Sequence, residues 1–161
     1  MDRCDGDGCG QPFTVEHALS CKKGGQVVAR HDDLKDEWEN LCGHALGHSK
    51  VFDEPLVKTS QDVREAGETD PDDKPLVRDL RGDVAAHNFW KKGQAVIFDI
   101  CVTDTDCRSQ RHTSPHLCLL SHERRKKRKY VDLCTARKHS FTPLAFSVDG
   151  LMGDETIAAS R

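Results

Sequence analysis

Residues 81–106 read RGDVAAHNFWKKGQAVIFDICVTDTD and contain the clearest β-strand pattern of the chain. Within them, residues 94–104 (QAVIFDICVTD) form a β-branched and aromatic run, which is typical of a buried strand. Asp99 stands in the middle of this run. A carboxylate in such a place is costly to bury unless another group pairs with it. The run therefore predicts a strand that carries a metal-binding or catalytic residue.

A second acid precedes this strand. Residues 76–90 predict an irregular strand after a glycine turn, and Asp83 follows Gly82 within it. If the two strands are neighbours, Asp83 and Asp99 meet at one edge of the sheet, where paired carboxylates can bind Mg²⁺. That ion can lower the pKa of a bound water and stabilise charge on a phosphoryl group. The alternative interpretation is a turn residue at Asp83 and a salt bridge from Asp99 to a basic helix.

A strongly basic segment follows the strand. Residues 108–139 hold ten Lys and Arg residues against two acids, a local net charge of +8. Residues 117–138 predict a long helix, and a basic block on one element is a candidate phosphate-binding surface. A lysine of this helix could also neutralise charge in a transition state. The alternatives are a solvated helix face and a nuclear-import patch. The candidate phosphate contacts are Arg124, Arg125, Lys127 and Arg128.

The remaining patterns complete the predicted architecture. We expect a helix over 29–48, a short strand over 54–58, loops over 59–75 and 107–116, a strand over 141–148 broken by Pro143, and the opening of a helix in the last eleven residues. The order is helix, strand, strand, strand, helix, strand. This order predicts an α/β (α+β) fold with a small mixed sheet flanked by helices.

The first 25 residues contain a compact set of metal-ligating side chains. Cys4, Cys9, His17 and Cys21 fall within 18 residues, with glycines between the first two thiols. Zinc prefers four such ligands in a tetrahedron, and a closed structural site has no open position. Residues 16–21 can begin a helix that brings His17 and Cys21 together at i, i+4. We therefore predict a Cys3His zinc knuckle over 1–25, against the alternative of four unrelated residues in a flexible leader.

Two weaker Cys/His clusters lack this compact spacing. Their members are Cys42, His44 and His48, and Cys107, His112, His116 and Cys118. We also expect four cysteines to be small buried hydrophobic residues, the common role of a free cysteine: Cys42, Cys101, Cys118 and Cys134.

Composition limits the class of protein. The chain has 161 residues, of which 36% are apolar and 32% charged, so we expect one domain with a small core and some loop. Residues 53–73 hold eight acids against two basic residues, a local net charge of −6. No run of 18 apolar residues and no apolar N-terminal segment occur. The expectation is an intracellular protein that does not bind membranes.

These patterns together resemble a known family. The chain resembles the C-terminal region of non-long-terminal-repeat retrotransposon polyproteins of the restriction-like endonuclease clade, in which a Cys/His knuckle precedes a PD-(D/E)xK-type nuclease domain. The resembling stretches are CDGDGCGQPFTVEHALSCKKGG (4–25), RGDVAAHNFWKKGQAVIFDICVTDTD (81–106), KKRKY (126–130) and FTPLAFSVDGLMGDE (141–155). The chain departs from the family in the longer Cys4–Cys9 gap and in Cys101, where relatives tend to have a basic residue.

The resemblance implies a restriction-endonuclease-like domain over 26–161, shortened at its C-terminus, behind the zinc knuckle. It implies that Asp83 and Asp99 hold Mg²⁺ and that Lys129, with Lys126 and Tyr130 beside it, supplies the catalytic lysine. Asp32, Asp36 or Glu37 is a candidate for a further acid of the site.

The resulting hypothesis is an endonuclease that nicks DNA by Mg²⁺-dependent hydrolysis. The alternatives are a non-catalytic, zinc-dependent module that binds DNA or RNA, and an inactive remnant of the element. We expect no small-molecule substrate, and we infer a nuclear location from the substrate and the basic run.

Overall fold

The computed structural model describes residues 3–6, 8–21, 23, 26–59, 79–107 and 109–161. The helices within these ranges are α1 (Val15–Ser20), α2 (Gln26–Leu46), α3 (Pro115–Ala136) and α4 (Asp154–Ala159). The strands are β1 (Val51–Asp53), β2 (Leu56–Lys58), β3 (Leu80–Arg81), β4 (Val84–His87), β5 (Ala95–Thr103) and β6 (Ser140–Ser147). The fold is therefore mixed α/β, as predicted.

The described strands form two sheets. The larger sheet has the order β1-β4-β5-β6, and β2 pairs with β3 in a separate two-stranded sheet. β1 runs antiparallel to β4, and β4 runs antiparallel to β5 with Val84 opposite Phe98. The Ser140 hydroxyl donates to the Ala95 carbonyl at one end of β5, and the amide of Val148 donates to the Thr103 carbonyl at the other. β6 therefore runs parallel to β5, and the sheet is mixed.

The long predicted elements are confirmed with boundaries shifted by a few residues. The predicted helices over 29–48 and 117–138 correspond to α2 and α3, and the strand over 94–104 corresponds to β5. The helix expected at the C-terminus is α4. The elements of the large sheet also follow the order helix, three strands, helix and strand, but the first of these strands is β1, whereas the predicted strand over 54–58 corresponds to β2 of the separate sheet.

Four details of the prediction need correction. Pro143 does not break its strand, because β6 lies at the edge of the sheet order and an edge strand tolerates a residue without an N–H donor. β1 was not predicted, and the segment over 54–58 contributes only the three residues of β2. Residues 76–90 hold two short strands rather than one. Most of the predicted loop over 59–75 lies outside the described residues.

The chain divides into two compact units, and the division falls within α2, β5, α3 and β6. The first unit comprises Met1–Trp38, Ile100–Lys126 and Pro143–Arg161. The second comprises Glu39–Asp99 and Lys127–Thr142. The predicted boundary between residues 25 and 26 stays a prediction.

Each unit has its own buried residues. In the first unit, the amide of Glu155 donates a 3.0 Å hydrogen bond to the buried Glu123 carboxylate, and the Thr156 hydroxyl donates to the Ala145 carbonyl. In the second unit, four buried residues form a hydrophobic cluster: Val57, Ile97, Tyr130 and Cys134. Of the four cysteines expected to be buried, Cys42, Cys118 and Cys134 are, whereas Cys101 is half-buried. No described helix is both long and apolar enough to cross a membrane.

Candidate metal centre and acidic site

The predicted knuckle brings its four ligands together. The ligand atoms of Cys4, Cys9, His17 and Cys21 all lie within 4.8 Å of one another, so this group can hold a metal ion such as zinc. The Sγ of Cys21 lies 3.7 Å from that of Cys4 and 3.8 Å from that of Cys9. The Sγ of Cys9 lies 3.2 Å from the His17 Nε2.

These distances agree with tetrahedral zinc. Ligands about 2.3 Å from a tetrahedral ion are about 3.8 Å apart, since each pair subtends the tetrahedral angle. Both measured sulfur–sulfur distances fall at that value. A disulfide would instead require about 2.05 Å, and all eight cysteines, which lie within the described residues, are free thiols. The spacing of the thiols, rather than their number alone, fits a zinc ion.

Local backbone structure positions these ligands. The amide of Cys4 donates to the Gln11 carbonyl, and the amide of Cys9 donates to the Gly6 carbonyl, which closes a tight turn between the first two thiols. The Thr14 hydroxyl caps α1 by accepting from the His17 amide at 3.1 Å. The helix ends at Ser20, and the Cys21 amide still donates to the His17 carbonyl. The predicted i, i+4 pairing of these two ligands is therefore confirmed.

The three thiols affect one another electrostatically. A backbone hydrogen bond from Gly6 lowers the pKa of Cys4, but desolvation and the Cys21 and Cys9 thiols raise that pKa above its ordinary value. For Cys9 the backbone hydrogen bond from Gln11 prevails, and the pKa lies below its ordinary value. Metal binding requires thiolates, so a divalent cation beside Cys4 would offset the coulombic repulsion from Cys21 that raises the pKa of Cys4.

Among the described residues, this is the one group of three or more His, Cys, Asp and Glu side chains that can hold a metal ion. In the first weaker cluster, the rings of His44 and His48 are in edge contact with their centroids 5.4 Å apart, and burial raises the pKa of the Cys42 thiol to about 11. These three residues do not form such a group. The cluster of Cys107, His112, His116 and Cys118 does not form such a group either.

The acidic site forms at the end of the β4–β5 pair. The amide of Asp83 donates a 2.9 Å hydrogen bond to the carbonyl of Phe98, the residue before Asp99. Val84, the first residue of β4, lies opposite Phe98, so Asp83 directly precedes the antiparallel pairing of the two strands. Gly82 makes this close approach possible, because a Cβ there would collide with Ile97 and lie 3.1 Å from the Phe98 carbonyl oxygen.

Tyr130 links the two aspartates to α3. Its ring is buried and stacks on Phe141 with centroids 4.9 Å apart, and its hydroxyl donates to the Arg81 carbonyl at 3.3 Å. Burial raises the pKa of the Tyr130 phenol, and the charge and hydrogen bond of Asp99 and the charge of Asp83 raise it further. Asp99 is only 4% exposed, whereas Asp83 is half-buried. The fold thus brings Asp83, Asp99 and Tyr130 together.

The two predicted catalytic lysines are placed differently. Lys129 is exposed, and its Nζ lies 4.8 Å from the centroid of the Tyr130 ring. Lys126 is half-buried and precedes Tyr130 by four residues, which puts both on one face of α3. Lys126 belongs to the first compact unit and the two aspartates to the second, so its part in the site stays a prediction.

The other predicted nucleic-acid contacts lie along α3. Arg124, Arg125 and Arg128 are exposed, and Lys127 is half-buried. Arg125 approaches the His122 Nδ1 at 2.9 Å. Burial lowers the pKa of His122, and the charges of Arg125 and Lys126 lower it further, so its imidazole is neutral at physiological pH.

Sequence reasoning missed one buried carboxylate in this helix. Glu123 is 2% exposed and accepts the Glu155 amide at the beginning of α4. A carboxylate at a helix N-terminus satisfies a donor that has no partner within the helix. The sequence feature that could have indicated a special role for Glu123 is its position immediately before a run of six basic residues.

No model of a known protein family matches the chain, and no curated protein matches it.

Proposed function

We propose that the protein is a Mg²⁺-dependent endonuclease that nicks DNA. The observation that carries the proposal is the pairing of Asp83 with the strand position next to Asp99, beside the Tyr130 hydroxyl. Two adjacent carboxylates in a mostly buried setting are suited to a hard divalent cation. Such an ion, when bound, would supply positive charge for a phosphodiester and lower the pKa of a water.

The chain's own residues would perform three tasks. Asp83 and Asp99 would hold the cation through their carboxylate oxygens. Tyr130 would orient the Asp99 carboxylate through its hydroxyl, which stays protonated because its pKa is raised and would donate to that carboxylate in place of the Arg81 carbonyl. Lys129 would neutralise charge on the phosphate, since its side chain is exposed beside the Tyr130 ring. The resemblance to retrotransposon endonucleases implies the same metal ligands, Asp83 and Asp99, and the same catalytic lysine, Lys129.

The knuckle would have a structural role in this protein. All four ligand positions come from the chain, so the Cys3His set leaves a zinc ion no open position for chemistry. The first 25 residues contain few apolar side chains, and zinc would supply the stability that a hydrophobic core cannot.

A plasmid-nicking assay tests the proposal. Protein with zinc retained is incubated with supercoiled DNA, with and without Mg²⁺, beside the variants Asp83→Asn and Asp99→Asn. We expect nicking that requires Mg²⁺. In both variants the nicking rate should fall by more than about 100-fold, because removing only a hydrogen-bond partner of a metal ligand already costs about 10- to 100-fold in activity. Asp132→Asn is the matched control, because Asp132 is an exposed acid on α3. Equal nicking by the wild type and Asp83→Asn would refute the proposal.

One observation favours a second candidate, a non-catalytic nucleic-acid-binding module. Four basic side chains of α3 are exposed: Arg124, Arg125, Arg128 and Lys129. Four phosphate contacts predict a slope of about −3.6 for the logarithm of the binding constant against that of the salt concentration. This module would bind without Mg²⁺, with the same affinity in Asp83→Asn, and would not nick DNA. Chelators that also remove zinc have to be left out of this comparison.

A further inference from the structure

The loop between β4 and β5 contains an exposed tryptophan, Trp90, whose indole N–H is hydrogen-bonded to the protein. Trp90 is 45% exposed, and its Nε1 donates a 2.9 Å hydrogen bond to the Oγ1 of Thr142, a buried residue of β6. Tryptophan is enriched at interfaces because its indole N–H finds a hydrogen-bond partner while the apolar rings supply contact area. The bond to Thr142 restricts the indole to one position.

The loop backbone is also well ordered by hydrogen bonds. The Asn88 amide donates to the Gln94 carbonyl at 2.9 Å, and the Asn88 side chain accepts from the Gly93 amide at 2.7 Å. Asn88 and Gly93 both have positive φ, at 66° and 79°, which suits asparagine and glycine. The loop therefore holds Trp90 with little conformational freedom left to lose on binding a ligand.

Aromatic contacts join Trp90 to the interior of its unit. Phe89 contacts the Trp90 ring at 4.9 Å and the Phe98 ring at 5.0 Å, both in edge-to-face geometry. Phe98 is fully buried and precedes Asp99. Since Asp99 is the fourth residue after Ala95, where the loop ends, the loop lies about 14 Å from the acidic site along the strand.

The charges around Trp90 are positive. Lys91 and Lys92 follow it and are exposed, and residues 88–94 contain no acid. The Gln94 side chain donates to the carbonyl of Lys138, which places a third exposed lysine beside the loop. Lys50 precedes β1, whose Val51 pairs with Ala86 at this end of the sheet. An exposed aromatic ring among lysines suits a ligand that combines flat bases with phosphates.

We infer that the loop over 88–94 binds an unpaired nucleotide strand, with a base stacked on Trp90 and flanking phosphates bound by Lys91 and Lys92. A base inside a duplex is stacked on its neighbours, so this site favours DNA with an unpaired segment near the cleaved bond. The inference deepens the proposed function and rests on it in taking nucleic acid as the ligand.

Binding of an oligothymidylate and of a matched duplex, both without Mg²⁺ and with zinc retained, tests the inference. Trp90→Leu should weaken single-strand binding by about 5- to 150-fold, the range that base–aromatic stacking contributes. Trp90→Phe, which keeps an aromatic face, should recover most of that affinity. Duplex affinity should change less than about twofold in both variants, because no stacking is lost. Leu151→Ala is the matched control, since Leu151 is also 45% exposed but has no aromatic ring.

Intrinsic fluorescence gives a second readout. The chain has two tryptophans, and Trp38 is only 7% exposed, so single-strand binding should quench mainly Trp90. Trp90→Phe then reports the baseline of Trp38 alone. Wild-type single-strand affinity in Trp90→Leu, or quenching that persists in Trp90→Phe, would overturn the inference. Stacking without any nicking would overturn the endonuclease proposal alone, and nicking without stacking would overturn this inference alone.

Discussion

The amide of Asp83 donates a 2.9 Å hydrogen bond to the carbonyl of Phe98 and so fixes the first aspartate beside the strand position of the second. Val84, the next residue, lies opposite Phe98 where β4 begins to pair with β5. The relative placement of Asp83 and Asp99 therefore depends on backbone geometry as well as on the identity of the two acids.

Gly82→Ala should disturb this geometry. An alanine Cβ would collide with Ile97 and crowd the Phe98 carbonyl, so the Asp83 segment has to move. We expect a loss of about 1–3 kcal/mol in the free energy of unfolding, typical of overpacking, and a loss of nicking activity. Urea unfolding and the plasmid assay measure the two effects.

Gly47→Ala is the control that separates a loss of folding stability from a loss of nicking activity. An alanine there meets open space, but φ is 98°, so the variant is destabilised by backbone strain away from Asp83. It should lose stability and keep its nicking rate at a temperature where it is folded. If Gly82→Ala nicks as fast as Gly47→Ala, the close approach of Gly82 to Ile97 and to the Phe98 carbonyl does not position the acidic site.

Zinc should bind once per chain and release protons. Three thiols have to be thiolates to ligate the ion, so binding near neutral pH should release protons, at most one from each thiol. Calorimetry in buffers of different ionisation enthalpy measures this number, and atomic absorption measures the zinc content.

Cys9→Ser should reduce the zinc content strongly, whereas Cys107→Ser should leave it unchanged. Cys107 is half-buried like Cys9 but lies outside the four-residue group. A chain that keeps a full complement of zinc in Cys9→Ser would contradict the assigned ligand set.

Tyr130→Phe should weaken the acidic site without removing the aromatic packing. The ring can still stack on Phe141, while the hydroxyl that contacts Asp99 and the Arg81 carbonyl is lost. Partners of metal ligands are typically worth about 10- to 100-fold in metal affinity or activity. We therefore expect a rise of that size in the Mg²⁺ concentration that gives half-maximal nicking. An unchanged Mg²⁺ dependence would show that Tyr130 is only a packing residue.

The buried thiol of Cys42 should make stability fall at alkaline pH. Cys42 is 2% exposed, and burial raises its pKa from 9.0 to about 11. Because the folded-state pKa is the higher one, stability is fully present below pH 9 and is lost as the pH rises towards 11. This group alone should cost about 2–3 kcal/mol over that window.

Cys42→Ala provides the comparison. The variant should be less stable than the wild type at pH 8 because a small cavity forms, but the difference should shrink by pH 11. Urea unfolding of both proteins at pH 8 and pH 11 measures this difference in the free energy of unfolding. Parallel pH profiles of the two proteins would show that the thiol does not ionise in this range.

The parts of the fold that sequence could predict are those specified by local patterns. β5 is a nine-residue run of mostly buried side chains, and the α3 region has continuous helix-forming residues. The four knuckle ligands are close together in sequence, so their spacing alone brought them into one group. The hydrophobic positions of α2 and α3 likewise repeat at helical intervals.

The parts that it could not predict depend on distant contacts. β1 has three residues, too few for a pattern, and exists through its pairing with β4, more than thirty residues later. The residues around Cys101 in the sequence are as apolar as those earlier in β5, so the sequence predicts a buried side chain there. The last three residues of the strand, Cys101 among them, are instead half-buried. The burial of Glu123 depends on α4, which the run of basic residues around it does not indicate.

The contact between Glu123 and the Glu155 amide also constrains how this chain can change over generations. Gly153 packs so tightly against the Glu123 carboxylate that any larger residue there would collide with it. A mutation that deletes or reshapes α4 therefore alters the surroundings of a buried charge on α3, and a mutation of Glu123 removes an acceptor from α4. Mutations in the two helices are therefore expected to be coupled, so the loss of α4 would also disturb the packing of the basic helix α3.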